Sequence, residues 1–130
     1  MLRPVAVLDH VILKVNDARA SARFYVDVLG FEDGGQDGPF TVIRAGDACQ
    51  LQLAPWGTQG GEHLAFALAP DEFRRVFARI VERGIPYGDT FDGVGRNTGP
   101  GRETGARGAG PTVYFFDPDR HLLEIRTYEE

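Results

Sequence analysis

The pattern of apolar residues and chain-breaking residues runs through this chain twice, and no other feature constrains the fold as much. Residues 5–15 read as a strand, with Val11, Leu13 and Val15 on one face and His10, Ile12 and Lys14 on the other. A helix follows, capped by Asn16 or Asp17 and stopped by Gly30, with Ser21, Phe24, Tyr25 and Val28 as its expected inner face. Three short strands are expected near 31–33, 40–45 and 48–54, punctuated by residues 34–39 and by Gly46-Asp47. The order then begins again. Residues 62–69 alternate, with Leu64, Phe66 and Leu68 opposite His63, Ala65 and Ala67. Pro70 suits a first helical turn, and Asp71 and Glu72 suit the positive end of the helix dipole. Phe73, Val76, Phe77, Ile80 and Val81 recur at helical spacing before Gly84. Strands near 87–91, 112–116 and 122–127 close the second round. His10 lies 20 positions before Gly30, and His63 lies 21 before Gly84.

Strand, helix and three strands, given twice, predict an α+β fold of two βαβββ modules, near residues 5–56 and 61–128 of one domain. Each module would turn one sheet face to its helix and leave the other facing a groove. Length agrees, because 130 residues suffice for one domain or for two small modules. No apolar run is long enough to cross a bilayer, and Met1-Leu2-Arg3-Pro4 leads into a strand rather than a signal peptide, so a cytoplasmic location is expected. Nineteen acidic against fourteen basic residues, a net charge of −5, argue against nucleic-acid or anionic-membrane partners. The single cysteine, Cys49, excludes an intrachain disulfide and a cysteine-rich zinc site. Any metal must therefore be held by His and carboxylate.

Strand parity puts His10, His63 and Glu124 on the same kind of face, opposite Val11/Leu13, Leu64/Phe66 and Leu123/Ile125. Two imidazoles and a carboxylate directed into a groove form a set suited to Zn, Mn, Fe, Ni or Co, with positions open for water or substrate. The plainer alternative is a pair of half-exposed strand histidines, with Glu124 paired to Arg126 or Arg102. A fourth donor is suggested by spacing. Gln50 lies four residues past Gly46, as Glu124 lies four past Arg120. Gln50 is therefore the candidate ligand, and the alternative is that one or both of Gln50 and Gln52, which share a face, hydrogen-bond substrate or water.

Residues 93–110 carry seven glycines together with Arg96, Arg102 and Arg107. A loop of this length and composition is expected, in which three guanidinium groups either clamp a carboxylate or phosphate or remain solvated. Trp56, in a turn before Gly57, is a candidate for the groove mouth, a dimer contact or core filler. Cys49 has apolar-face parity and reads as structural and inert. His121 has the wrong parity for the metal.

Leu8-Asp9-His10-Val11-Ile12-Leu13, Ala22-Arg23-Phe24-Tyr25 through Val28-Leu29-Gly30-Phe31, Glu62-His63-Leu64-Ala65-Phe66, and Tyr114-Phe115-Phe116-Asp117-Pro118-Asp119 through Leu123-Glu124-Ile125 resemble the vicinal oxygen chelate superfamily. Its members include glyoxalase I, fosfomycin-modifying thiol transferases, extradiol dioxygenases, methylmalonyl-CoA epimerases and bleomycin-resistance proteins. The resemblance runs from about Leu8 to Tyr128, and its motifs separate the members poorly. It implies paired βαβββ modules in a cupped mixed sheet with the helices outside. It also implies one divalent metal at His10, His63 and Glu124, and a homodimer whose site is shared across two chains. A His/Gln/His/Glu set is similar to that of the epimerases, and Tyr114 matches a substrate-contacting Tyr of the thiol transferases. The chain ends at Glu130, short of the extension that carries an anion-binding Arg in those transferases. Where the family has Asp-Pro-Asp-Gly this chain has Asp117-Pro118-Asp119-Arg120, so Arg120 is expected to take a left-handed conformation.

The function implied is a metal-dependent lyase, isomerase or dioxygenase acting on a small oxygenated metabolite, with the metal as Lewis acid and Glu124 as catalytic carboxylate. Tyr114, Gln52, Trp56 and the three loop arginines would bind substrate. Two alternatives are a fosfomycin-type thiol transferase and a metal-free drug-sequestering protein. The latter would bind through Phe40, Trp56, Tyr87, Phe91 and Tyr114.

Overall fold

A computed structural model describes residues 5–128. The chain divides into two compact units, Met1–Gln59 and Gly60–Glu130. The first contains β1 (His10–Lys14), α1 (Ala18–Asp27), β2 (Glu32–Asp37), β3 (Phe40–Arg44) and β4 (Gln50–Ala54). The second contains β5 (His63–Ala67), α2 (Pro70–Glu82), β6 (Tyr87–Gly88), β7 (Gly101–Gly105), β8 (Gly108–Phe116) and β9 (Leu122–Arg126). Each unit has its own mixed sheet, ordered β1-β4-β3-β2 in the first and β5-β9-β8-β6 in the second, with β7 paired to β8. In both units the opening strand is an edge strand, paired in parallel with the closing strand, and the remaining pairs are antiparallel. A helix between the first and second strands of each unit makes the parallel return possible, because parallel neighbours need a crossover.

Local chemistry sets the helix ends. Asp17 Oδ1 accepts a hydrogen bond from Ala20 N at 3.1 Å and caps α1. Gly30, with φ 75°, lets Phe31 N reach back to Tyr25 O and close the helix. Ser21, Ala22, Tyr25 and Val28 are buried under α1, and the Tyr25 ring stacks on Phe31. Beneath them Leu13, Val15, Ile43, Leu51 and Leu53 are sealed from solvent. Each fully buried aliphatic side chain of this kind contributes about 1.5–3 kcal/mol. In the second unit α2 starts at Pro70 and buries Phe73, Val76 and Ile80, while Phe77 packs edge-on against Tyr87 at 5.2 Å. Val81 was expected on this inner face but is half exposed. Eight residues past Phe73 it stands about 80° around the helix, outside a stripe of three buried side chains.

The larger departure concerns residues 93–110. They do not form one long loop: residues 101–116 make an antiparallel hairpin, β7–β8, turning at Ala106-Arg107. Gly101, Gly105 and Gly110 serve close approach rather than mobility. A Cβ at Gly101 would strike the Asp89 backbone, and one at Gly110 would strike the Thr127 backbone. The strand expected at 87–91 is only Tyr87–Gly88. Among the described residues, no helix is long and apolar enough to cross a membrane.

Candidate functional site

In the second unit the chemistry gathers around Glu124. It lies on β9 between Ala65 of β5 and Tyr114 of β8, and is only 7% exposed. A buried carboxylate needs partners, and His63, Arg126 and Tyr114 gather around this one. His63 Nε2 lies 3.1 Å from Glu124 Oε1, and Arg126 Nη1 donates to Glu124 Oε2 at 3.0 Å. The His63 ring meets Tyr114 edge to face at 6.1 Å. Burial first, then the negative charges of Glu124 and Glu103, push the Tyr114 phenol up to about 12, partly countered by Arg126. At neutral pH Tyr114 is a neutral hydrogen-bond donor beside the carboxylate.

Of the sequence's two readings of Glu124, the pairing with Arg126 is present, and His63 lies against the other carboxylate oxygen. Arg126 is the residue of this candidate site that spacing alone leaves in the background. The signal was present, since residues two apart on a strand share a face. The Arg126 guanidinium also donates through Nη2 to Glu103 O and Gly108 O, and stands 4.5 Å from the centre of the Tyr128 ring. It is 3% exposed, and among the described residues its buried Nε has no hydrogen-bond partner.

In the first unit His10 stands exposed on β1, and its Nδ1 lies 2.8 Å from Asp9 Oδ2. With Nδ1–H donated to Asp9, Nε2 is left as the lone-pair nitrogen, the tautomer that suits a metal ligand. In the β1–β4 ladder His10 pairs with Gln50, and Ile12 with Gln52. In the β5–β9 ladder His63 pairs with Leu122, and Ala65 with Glu124. The counterpart of Glu124 is thus Gln52, two residues past the partner of the histidine.

The turns agree with this register. Ala45 N bonds Cys49 O and Asp117 N bonds His121 O, and Gln52 and Glu124 each lie three residues past the closing residue. The spacing argument for Gln50 fails because Gly46 opens its turn, whereas Arg120 is the last residue within its own. Among the described residues, no three His, Cys, Asp or Glu side chains stand close enough together to hold a metal ion.

The other candidates fall at separate places. Trp56 is exposed, with its ring 5.8 Å from that of Phe40. Arg96 lies in the turn after Gly93, Arg102 is exposed on β7, and Arg107 lies in the hairpin turn with its guanidinium 4.3 Å from the centre of the Tyr128 ring. The expectation that the three share one loop is corrected by the hairpin. Burial and the nearby Asp9 raise the Cys49 thiol above its ordinary value, which disfavours the reactive thiolate. His121 is buried, and its Nδ1 accepts from Glu62 N at 3.2 Å. Arg120 has φ 69°, the left-handed conformation expected where the family has Gly. An open cleft of about 570 Å³ lies between α1 and the β2–β3 hairpin, and its lining contains none of the candidate residues.

A family model described as the Glyoxalase/Bleomycin resistance protein/Dioxygenase superfamily matches residues 7–125. The virulence protein STM3117 of Salmonella typhimurium is 28% identical over 130 residues, covering 93% of this chain and 83% of that protein. Glutathione transferase FosA of Serratia marcescens is 25% identical over 125 residues, covering 91% and 78%. Among solved structures, Oxidase ChaP-H1 superposes with a TM-score of 0.79 at 32% identity, covering 96% of this chain and 98% of that one.

Proposed function

The chain belongs to the Glyoxalase/Bleomycin resistance protein/Dioxygenase superfamily, and from that premise we propose that it is a divalent-metal-dependent enzyme acting on a small metabolite with two neighbouring oxygens. The observation that carries this reading is the convergence of His63 Nε2 and Glu124 Oε1 at 3.1 Å, beside the buried Tyr114. The donor chemistry fits a borderline metal: neutral imidazole nitrogens and one carboxylate oxygen. His10 fits as well, because Asp9 takes its Nδ1 and leaves Nε2. In this reading His10, His63 and Glu124 hold the ion, and Gln52 replaces Gln50 as the fourth donor, since it occupies the ladder position that Glu124 occupies in the second unit.

When bound, the ion supplies a Lewis acid that polarises substrate oxygens. The chain's own residues do the rest. Tyr114 donates its phenol hydrogen to a substrate oxygen, Glu124 is the one carboxylate placed to move a proton, and the buried surround of β8 and β9 limits competing water.

A homodimer belongs to the same proposal. The two histidines stand on edge strands, and Leu8 and Ile12 are exposed beside His10 at 68% and 47%. An unpaired apolar edge is best covered by a second copy. Within the superfamily the reaction is of lyase, isomerase or dioxygenase type. A thiol transferase is the second reading, supported by the position of Tyr114 against Glu124 and by the name of the FosA relative.

Elemental analysis of protein purified without a metal-affinity tag, with His63→Ala as control, tests the proposal. About one equivalent of a transition metal per chain, lost in the variant, is the expected result. A wild-type chain that stays metal-free after incubation with Fe(II), Mn, Co, Ni and Zn would overturn it in favour of the drug-sequestering reading.

A further inference from the structure

Glu124 has two oxygens, and the structure treats them differently. Oε1 faces His63, whereas Oε2 takes a charge-assisted hydrogen bond from Arg126 at 3.0 Å. A carboxylate can bind a metal through one oxygen or through both. Binding through both here would make Oε2 share its lone pairs between the ion and the Arg126 N–H, weakening and reorienting a hydrogen bond between two buried charges.

The guanidinium is also held from three further sides. Nη2 donates to Glu103 O at 3.0 Å and to Gly108 O at 3.2 Å, both on the β7–β8 hairpin. Tyr128 covers its face. Gly105 leaves it room, because a Cβ there would stand 2.5 Å from Arg126 Cζ and 2.7 Å from Nε. A planar fork fixed on all these sides cannot follow the carboxylate if it swings. The glycine-rich hairpin thus acts as a bracket for one side chain.

We propose that Arg126 is a positioning residue that confines Glu124 to a single coordinating oxygen and so reserves for substrate the place its second oxygen would take. The inference rests on the metal-dependent reading above. Arg126 is too buried to touch substrate and acts only through Glu124. With two His, one Gln and a one-oxygen Glu, a six-position ion keeps two places for a substrate that presents two oxygens. A two-oxygen Glu leaves one.

Cobalt(II)-loaded protein tests this, with acetohydroxamate as a two-oxygen probe and circular dichroism as the check on folding. The wild type is expected to bind the probe. Arg126→Gln is expected to keep about one cobalt per chain, to show altered visible cobalt bands because a second carboxylate oxygen takes a place otherwise left to water, and to bind the probe at least about tenfold more weakly. Gly105→Ala displaces the guanidinium without removing it and is expected to shift the bands in the same direction. It decides the matter if Arg126→Gln does not fold. Variants that fold, hold cobalt and bind acetohydroxamate as the wild type does overturn the proposal while leaving the metal reading intact. A folded Arg126→Gln that loses its cobalt also overturns it, since Arg126 would then retain the metal rather than limit the carboxylate. A wild type that takes up no cobalt sinks the metal reading, and this inference with it.

Discussion

The two units share a ladder but not an environment. In each, a histidine opens an edge strand that runs parallel to the closing strand, and a polar residue stands two positions beyond its partner: Gln52 in the first unit, Glu124 in the second. The edge strands are open in both units, with His10, Ile12 and Lys14 exposed in the first and His63, Ala65 and Ala67 in the second. What differs is the buried surround: apolar beside Gln52, with Val42 and Ala54 at 4% and 0% exposure, and polar beside Glu124, with Tyr114 and Arg126 at 6% and 3%. The difference follows from one atom type. An amide at position 52 is neutral and tolerates partial burial, whereas a carboxylate at 124 requires a counter-charge. That counter-charge, Arg126, needs acceptors of its own, and the β7–β8 hairpin supplies them. The repeat copies backbone pairing, and charge decides what is built around it.

The largest effect that would break this comparison is on stability. Phe115 is sealed in the second sheet, and Phe115→Ala is expected to cost about 3–5 kcal/mol. Ile12 faces outward on β1 at 47% exposure, and in protein dilute enough to be unpaired Ile12→Ala is expected to change stability by no more than about 0.5 kcal/mol. Urea denaturation of both variants, with the slopes compared, measures the contrast. An Ile12→Ala loss comparable to that of Phe115→Ala would mean that the open face of β1 is covered in solution.

A smaller effect sharpens the comparison. If the ladder rather than the distance from the turn defines equivalence, Gln52→Ala should weaken metal binding by on the order of 10–100-fold, the range seen when a metal site loses a supporting partner. Gln50→Ala should leave the affinity close to wild type. Competition with a coloured chelator gives both constants. The reverse result would return the fourth donor to Gln50 and show that side-chain reach overrides the register.

What could be read from the sequence, and what could not, divides along the same line. Strand parity gave the faces of His10, His63 and Glu124, and helical spacing gave the starts and stops of α1 and α2, because local periodicity is set by local geometry. The hairpin at 101–116 was hidden because glycine has two uses. Gly101, Gly105 and Gly110 look like loop residues, yet each admits a close neighbour: the Asp89 backbone, the Arg126 guanidinium and the Thr127 backbone. Gln50 was preferred over Gln52 because a count of residues cannot tell where a turn closes. Arg126 was visible as a partner for Glu124, but its importance depends on Glu103 and Gly108, which no short-range pattern ties to it.

The smallest predicted effect concerns the turns before the closing strands. In the second unit Asp117 Oδ1 accepts from both Asp119 N and His121 N, and this tight turn holds Arg120 at φ 69°. A left-handed residue other than Gly costs roughly 1–2 kcal/mol. The Arg120 guanidinium, 4.4 Å from the centre of the Phe116 ring, returns about 0.5–1 kcal/mol of that. Glycine removes both terms and adds the entropy of a freer unfolded chain, another 0.5–1 kcal/mol or roughly so. The backbone bonds Arg120 N to Asp117 O and Gly61 N to Arg120 O survive the change. Arg120→Gly is therefore expected to shift stability by less than about 1 kcal/mol. In the first unit Gly46 has ordinary φ and open space where a Cβ would go, so Gly46→Ala should be close to neutral. Thermal melts of the two variants separate the cases. A loss above about 1 kcal/mol in Arg120→Gly would mean that the stacked guanidinium outweighs the backbone strain. The departure from the family's glycine would then be a stabilising choice in the second unit alone.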